Sequence, residues 1–238
     1  ALLTFAGTLL AVIPLATAVA ARPSSSTRES PAAPAQNIGQ ALGEAFRHPS
    51  YLLLVLGFFT CGFQLAFITV HLPAYLVDIG LAPEIGGWVL ALVGLFNIFG
   101  SLSAGWLGNR MSRKWILAGI YFARSVVTIA FLLAPPSSTS ALLFGALTGL
   151  LWLSTVPPTS SLVALMFGTG YMAMLYGFAF FSHQVGAFLG VWLGGVIYEQ
   201  TGGYELVWWF SVALGIASAV INLPIVERPV ERPTPALA

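Results

Sequence analysis

Arg124 is the residue of this sequence with the most evident chemistry, because it stands within an apolar stretch from Trp115 to Ala134. A guanidinium is a planar fork of donors that suits a carboxylate, so Arg124 is a candidate counter-ion for an anionic solute. A charge is costly in hydrocarbon, and the one acidic residue within the predicted spans, Glu205, lies at the edge of its span and not at mid-membrane. The alternative is a structural arginine, bonded to carbonyls and hydroxyls or to an acid elsewhere in the protein.

His183 and Gln184 stand at the centre of another apolar stretch. His183 shares a helical face with Gly186, Gly190 and Gly194, and small residues four apart permit close approach of two helices. An imidazole titrates near neutral pH, so His183 is a candidate carrier of a coupled proton. The alternative is a plain hydrogen bond between helices.

Two amides and two hydroxyls complete the predicted substrate-binding set: Gln64, Asn97, Ser154 and Thr155. Polar side chains inside apolar spans are expected to face protein or water. For the amides the alternative is again a hydrogen bond between helices. The hydroxyls flank Pro157 and Pro158, which predict a kink because proline removes backbone donors. Whether this hinge moves as a gate is left open.

Catalytic chemistry is not expected. An intramembrane hydrolase needs a Ser/His dyad or paired aspartates, yet no Asp lies in a predicted span and there is no G-x-S-x-G. No metal or cofactor is predicted, and the one cysteine, Cys61, excludes an internal disulfide. A channel or a non-transporting scaffold remains an alternative function.

The composition is that of a membrane protein, with 58% hydrophobic residues, 7% charged residues and a mean hydropathy of +0.89. A membrane-spanning helix needs about 20 apolar residues. Seven stretches qualify: 2–20, 51–77, 85–107, 115–134, 141–166, 172–197 and 204–223. Because irregular backbone cannot face lipid, all are predicted to be helices.

The basic residues predict the orientation. Of the nine Lys and Arg, all except Arg124 fall in loops on one side of the predicted membrane. The charged residues of the opposite loops are all acidic. The positive-inside rule makes the basic side cytoplasmic, with the C-terminus on that side of an inner membrane.

The chain divides at a Ser/Pro-rich segment. Residues 1–20 are predicted as a transmembrane helix of a missing N-terminal half, 21–49 as a cytoplasmic linker that becomes helical near 38–47, and 50–224 as a six-helix domain. Residues 225–238 are predicted as a disordered tail. We expect the partners to be a small solute, the lipid bilayer and the N-terminal half, and no nucleic acid.

A faint repeat relates the two halves of the six-helix domain. Residues 105–112 (GWLGNRMS) and 195–202 (GVIYEQTG) each close the second helix of a three-helix set, and Gly100 and Gly190 match at the same offset. One copy faces each side of the membrane, so the triplets are predicted to be inverted. Inverted three-helix repeats are typical of secondary transporters.

The segment 105–114 (GWLGNRMSRK) resembles the G-x-L-x-D-R-x-G-R-K loop of the major facilitator superfamily, in the copy that joins its eighth and ninth helices. Asn109 stands where the family has Asp, and Ser112 where it has Gly. The resemblance implies that the chain is the C-terminal half of such a transporter, helices six to twelve. Residues 171–209 are also similar to the bacterial monocarboxylate and oxalate/formate branch, which implies a small organic solute such as a monocarboxylate, moved by symport or antiport.

That loop has a conformational interpretation of its own. Arg110, Arg113 and Lys114 lie at a membrane edge, where they can meet lipid headgroups and helix carbonyls and brace one conformation. Together with Gly105 and Asn109 they form the predicted conformational loop. The alternative is that the basic residues only enforce topology.

Overall fold

The computed structural model describes residues 36–232 and, apart from these, residue 10. The predicted span at 1–20 and most of the predicted linker at 21–49 therefore lie outside the described residues. The helices of the described part are α1 (Ile38–Arg47), α2 (Pro49–Asp78), α3 (Pro83–Gly108), α4 (Arg113–Leu133), α5 (Ser138–Leu151), α6 (Val156–Phe167), α7 (Met172–Thr201) and α8 (Glu205–Asn222).

Within residues 36–232, six helical segments are long and apolar enough to cross a membrane: α2, α3, α4, α5 with α6, α7, and α8. The six spans predicted after the linker are confirmed as helices, since a helix pairs its own backbone groups where no water is present. Prolines at the first helical turn open α2 and α3, where the missing N–H is not needed. Gly202 ends α7 with a φ of +74°, a left-handed conformation that favours glycine.

The spans pack in three main pairs, α2 with α7, α3 with α5, and α4 with α8. In the order of the spans these are first with fifth, second with fourth, and third with sixth. The pattern repeats when the first three spans are exchanged with the last three in order. The pair of first and fifth then becomes the pair of fourth and second, and the pair of third and sixth is unchanged. Spans three apart cross the membrane in opposite directions, so the contact pattern is that of two inverted three-helix repeats.

Glycines let the paired helices approach to backbone contact. A Cβ added to Gly62 on α2 would lie 1.8 Å from the carbonyl oxygen of His183 on α7, and one added to Gly186 would lie 2.1 Å from that of Phe59. A Cβ added to Gly100 on α3 would lie 1.9 Å from the carbonyl oxygen of Leu150 on α5. The Gly face of α7 is therefore a packed seam, and so is that of α3; these two helices are the second of their triplets.

We call the side of the bundle that carries loop 109–112 the basic side. The chain after α8 crosses it as an ordered segment, residues 225–232, which we call the strap. Ile225 is buried, the Val226 amide donates to Ser50 Oγ (3.0 Å), and the Val230 amide donates to the carbonyl of Met166 (2.8 Å). Where the sequence predicts a disordered tail from 225, the described part is thus held by hydrogen bonds to α2 and α6.

Helix α1 meets the far end of the strap. Arg232 pairs with Glu44 of α1, Nη2 to Oε2 at 2.8 Å, and its Nη2 also donates to the carbonyl of Phe167 (3.3 Å). The buried positions of α1 are Ala41 and Ala45, four residues apart on one face. The helix predicted near 38–47 is therefore present.

Candidate functional site

The fourth of the six spans is broken between α5 and α6 at residues 152–155. Pro157 and Pro158 have no N–H to donate to the carbonyls four residues earlier. The Val156 amide bonds instead to the carbonyl of Leu153, three residues back, at 2.9 Å. The helical ladder is interrupted in the middle of the span, where the released backbone groups need other partners.

Arg124 supplies donors to two of the released carbonyls. Its Nη2 lies 2.5 Å and its Nε 3.1 Å from the carbonyl oxygen of Leu151, and Nη2 also contacts the carbonyl of Trp152. The side chain is buried, with 5% of the residue exposed. Carbonyls at the C-terminal end of a helix carry partial negative charge, so a guanidinium both pairs with them and balances their dipole.

Asn97 reaches the same break from α3. Its Oδ1 accepts from the amide of Leu153 (3.0 Å) and from the hydroxyl of Ser101 (3.2 Å). The break is therefore bracketed by two side chains of opposite hydrogen-bonding role, a donor from α4 and an acceptor from α3.

Gln64 lies beside Arg124 and is shared between two neighbours. Its Nε2 donates to the carbonyl of Ser211 on α8 (3.0 Å), and its Oε1 accepts from Arg124 Nη1 (3.5 Å). The two side chains border a void of about 10 Å³ with Thr128, Thr148 and Trp152 among its other walls. A space of this size holds about one water molecule and no organic solute.

The predicted hydroxyls at the break are also engaged inside the bundle. Ser154 Oγ donates to the carbonyl of Leu150 (2.6 Å), and Thr155 Oγ1 lies 3.2 Å from the Sγ of Cys61. Cys61, a core residue of α2, thus joins that helix to the break.

His183 and Gln184 form a pair on α7, with His183 Nδ1 3.1 Å from Gln184 Oε1. The imidazole is buried and stacks on the ring of Phe180 at 5.3 Å between centroids and 3° between planes. Gln184 is exposed on the surface of the six-helix body, in the middle of its helix. The pair therefore joins a buried ring that is locked in place to an amide that points out of the bundle.

The predicted conformational loop joins α3 to α4 and contacts the second half of the broken span. A Cβ on Gly105 would lie 4.0 Å from the Cβ of Pro157, and Arg113 Nε donates to Ser161 Oγ at 2.6 Å. Asn109 is the C-cap of α3, and Arg110 stacks on the ring of Trp106 at 3.9 Å from its centroid.

Glu227 of the strap binds the start of α4. Its Oε1 accepts from Ser112 Oγ (2.6 Å) and from the Lys114 amide (2.7 Å), and its Oε2 lies 3.7 Å from Arg113 Nη1. Burial alone would raise the pKa of Glu227, but these hydrogen bonds and the charge of Arg113 outweigh it and lower the pKa below its ordinary value. Ser112, which stands where the family has Gly, is thus one of the hydrogen-bond donors to this carboxylate.

The structure brings the predicted residues together in two groups. Around the break lie Gln64, Asn97, Arg124, Ser154 and Thr155 with the hinge residues Pro157 and Pro158; on α7 lie His183 and Gln184. Sequence reasoning missed the roles of Cys61 and Glu227. Nothing in the sequence signals that Cys61 stands opposite Thr155, because that contact joins positions 94 apart in the chain.

No group of three or more His, Cys, Asp or Glu side chains able to hold a metal ion occurs within residues 36–232. The polar groups of the site bond instead to backbone and to one another.

Comparison with known proteins gives consistent matches. A family model described as Major Facilitator Superfamily matches residues 1–191 and residues 78–238. An uncharacterized MFS-type transporter of Bacillus subtilis (strain 168), YcxA, is 32% identical over 182 residues, which cover 74% of this chain and 44% of that protein. Monocarboxylate transporter 13 of Rattus norvegicus is 25% identical over 158 residues, 65% of this chain and 37% of that protein. Monocarboxylate transporter 12-B of Danio rerio is 24% identical over 180 residues, 73% of this chain and 37% of that protein. The chain spans less than half the length of these curated relatives.

Proposed function

The chain belongs to the major facilitator superfamily, and we propose that it forms one half of a secondary active transporter that moves a small organic solute by alternating access. The observation that carries the proposal is the packing of six spans as two inverted triplets. Two similar units of opposite orientation supply the two similar states, open to either side, that alternating access needs. In this proposal the other half of the cavity comes from a second six-helix domain of the same protein, which residues 1–20 would complete.

We propose a monocarboxylate as the solute, driven by an ion gradient. The proposal rests on relatives that are named monocarboxylate transporters and on the predicted likeness of residues 171–209. Transport breaks no covalent bond in the solute, so the proposal assigns no catalytic residue, and a hydrolase activity is not favoured by the family.

We propose that the basic side faces the cytoplasm and that the membrane is the inner membrane. The support is the distribution of Lys and Arg among residues 36–232, where all except Arg124 lie in segments of that side. Single cysteines at Met111 and Gln200, both exposed and at opposite ends of the bundle, test this after Cys61 is replaced by Ala. An impermeant thiol reagent added to intact cells should label the cysteine at 200 and spare the one at 111. Labelling of both positions from outside would overturn the orientation.

Gln184 is the residue that we propose contacts the solute. An amide in the middle of a membrane span is costly toward lipid, so its face is expected to meet protein or water. Gln184 is exposed in this six-helix body, and a cavity shared with the second domain is where such a group would be used. His183, buried behind it, is proposed as the residue that positions the amide and carries a coupled proton.

For Arg124 the contacts support the structural alternative. Its donors are directed at Leu151, Trp152 and Gln64, and the void beside it is too small for a solute. We propose that Arg124 and Asn97 stabilise the broken span and that Pro157 and Pro158 form a hinge there. Loop 105–114 contacts α6 through Arg113 and Gly105, so a movement of the hinge would be transmitted to the basic side.

The experiment that tests the function is solute counterflow in proteoliposomes that contain the full-length protein. Liposomes preloaded with an unlabelled monocarboxylate should take up the labelled compound transiently above equilibrium, because a carrier exchanges solute across the membrane. Saturable uptake without counterflow would indicate a channel, and no uptake of any monocarboxylate would overturn the solute class. Residues 36–238 alone should insert into the membrane and fail to transport, because the proposed cavity needs both halves.

A further inference from the structure

A groove separate from the candidate site lies between α4 and α8 on the outer surface of the bundle. It has a volume of about 310 Å³. All of its lining residues are apolar or glycine: Trp115, Ala118, Gly119 and Phe122 from α4, and Ala219, Val220 and Leu223 from α8. Arg124 and Gln64 point into the interior of the bundle and take no part in it. The groove is therefore a feature of the membrane-facing surface that transport does not explain.

The floor of the groove is open because Gly119 has no side chain. A Cβ built on Gly119 would meet nothing within 4 Å, whereas the glycines of the helix seams would meet backbone. The walls stand out on both sides: Trp115 and Phe122 of α4 are each 58% exposed, and Val220 of α8 is 59% exposed. Trp115 lies in the first turn of α4, at the basic end of the groove, which is the depth at which tryptophan is enriched in membrane interfaces.

Two basic residues, Lys114 and Arg228, belong to the segments next to the basic end of the groove, its mouth. Lys114, Ala118 and Phe122 succeed one another at intervals of four along α4, so Lys114 lies one turn below Ala118 on the same stripe. Arg228 is brought to the start of α4 because the carboxylate of its neighbour Glu227 binds the Lys114 amide at 2.7 Å. The mouth is thus built by the strap and by α4 together.

Both basic groups remain without an acidic partner. Across residues 36–232 the ion pairs join Arg113 to Glu227 and Arg232 to Glu44. Glu227, the acid nearest to the mouth, is already bound by Ser112, Arg113 and the Lys114 backbone. Lys114 and Arg228 therefore supply two cations that form no ion pair within residues 36–232, at the basic end of an apolar groove.

We propose that this groove is a binding site for an anionic phospholipid, with one acyl chain between α4 and α8 and the phosphate held by Lys114 and Arg228. Basic pockets between membrane helices on the cytoplasmic side recognise anionic headgroups, and each basic residue near the surface contributes about 1 kcal/mol, or roughly fivefold in affinity. The acyl chain supplies apolar contact that a free phosphate lacks. The proposal needs only that the chain spans a membrane and does not depend on transport.

Trp115 offers a direct reporter. The purified full-length protein is placed in nanodiscs, and brominated phosphatidylglycerol or brominated phosphatidylcholine is titrated while tryptophan fluorescence is recorded. The chain has seven tryptophans, so the signal of Trp115 is taken as the difference between the native protein and Trp115→Phe. Phosphatidylglycerol should quench Trp115 at a lower lipid fraction than phosphatidylcholine, by about 25-fold for two basic residues at roughly fivefold each.

Three variants make the test specific. Lys114→Gln combined with Arg228→Gln should reduce the preference for phosphatidylglycerol to nearly onefold. Arg47→Gln removes one exposed charge at the end of α1 on the same side and should leave the preference unchanged. Gly119→Leu fills the groove without altering charge and should reduce quenching by both lipids, and a thermal melt of each variant verifies that it is folded.

Four outcomes would overturn the proposal. Equal quenching by the two lipids would mean that the groove faces bulk lipid without selectivity. A preference that survives the double Gln variant would place the headgroup elsewhere. Absence of quenching by either lipid would show that protein covers the groove. Loss of the preference on addition of inorganic phosphate at constant ionic strength would identify a site for a free anion.

Discussion

Arg124 donates two hydrogen bonds to the carbonyl oxygen of Leu151, from Nη2 at 2.5 Å and from Nε at 3.1 Å, and so joins α4 to the end of α5. The two residues are on different spans, and Leu151 is the last helical residue before the break. One buried cation thus takes the place of the backbone donors that a continuous helix would have supplied there. The cost of holding a charge in the membrane is offset by carbonyls that would otherwise be unpaired.

The first prediction concerns this contact. Arg124→Lys keeps the charge but replaces three donor nitrogens in a planar fork by one, so the bonds to Leu151, Trp152 and Gln64 cannot all be kept. A buried acceptor left without a donor costs about 1–3 kcal/mol, and we expect the free energy of unfolding to fall by that amount. Thermal melts in detergent measure it, with Arg47→Lys as a matched change at an exposed site.

The same variant separates the two roles considered for Arg124. If the residue is structural, the protein that survives should bind a monocarboxylate with nearly native affinity. A variant of native stability whose affinity has dropped tenfold or more would instead identify Arg124 as the counter-ion of the solute.

The second prediction concerns the seam between α2 and α7. Gly186→Ala places a Cβ 2.1 Å from the carbonyl oxygen of Phe59, and both backbones must move apart. Overpacking of this kind costs about 1–3 kcal/mol, so the melting temperature should fall. Gly195→Ala is the control on the same helix, because its Cβ meets nothing within 4 Å. It should be neutral or slightly stabilising, and a loss of stability equal to that of Gly186→Ala would show that backbone contact is not what the seam requires.

Hydropathy predicted the six spans and their boundaries within a few residues, because burial of apolar length in lipid depends on local composition. The inverted triplets were predicted from the faint repeat of residues 105–112 at 195–202. The prolines at 157 and 158 predicted a kink where the fourth of the six spans is broken. The partners of the break could not be predicted. Asn97 and Leu153 are 56 positions apart, and their contact depends on how α3 packs against α5.

The strap is ordered although the sequence predicts disorder there. The predicted tail, residues 225–238, is rich in Pro and charge and offers little apolar area to bury. The order of the strap comes from a few specific bonds to helix ends, among them Glu227 to the start of α4 and Val230 to the carbonyl of Met166. Unpaired backbone groups at helix termini are available to any nearby segment, and composition does not report them.

The third prediction uses the pKa of Glu227, which lies below its ordinary value of 4.5. A carboxyl group whose pKa is lowered by folding stabilises the protein fully above the ordinary pKa, and this contribution is lost as the pH falls through the lower folded pKa. The native protein should therefore melt above Glu227→Gln at pH 7. The difference should shrink once the pH falls below about 4.5 and vanish when the carboxyl is protonated in both states.

Glu231→Gln is the control for this measurement, since Glu231 is exposed on the same strap. It removes one negative charge at about the same distance from the membrane and should melt as the native protein does at every pH. A difference between the native protein and Glu227→Gln that is independent of pH would mean that hydrogen bonding by either side chain, and not the carboxylate charge, holds the strap.

The last prediction concerns His183 and Gln184 in the full-length protein. Gln184→Leu keeps the approximate volume of the side chain and removes its hydrogen bonds, so it should raise the KM for a monocarboxylate by about tenfold to one-hundredfold, as expected for the loss of a hydrogen bond to a charged group. Gln200→Leu is the matched change at the exposed end of the same helix and should leave KM unaltered.

His183→Gln keeps a hydrogen-bonding group beside Gln184 but cannot titrate, and it should flatten the dependence of uptake on pH. A native KM in Gln184→Leu together with a native pH profile in His183→Gln would remove this pair from the mechanism. The solute site would then be sought among the predicted polar side chains at the break. Of these, Asn97 is the one that is only half-buried.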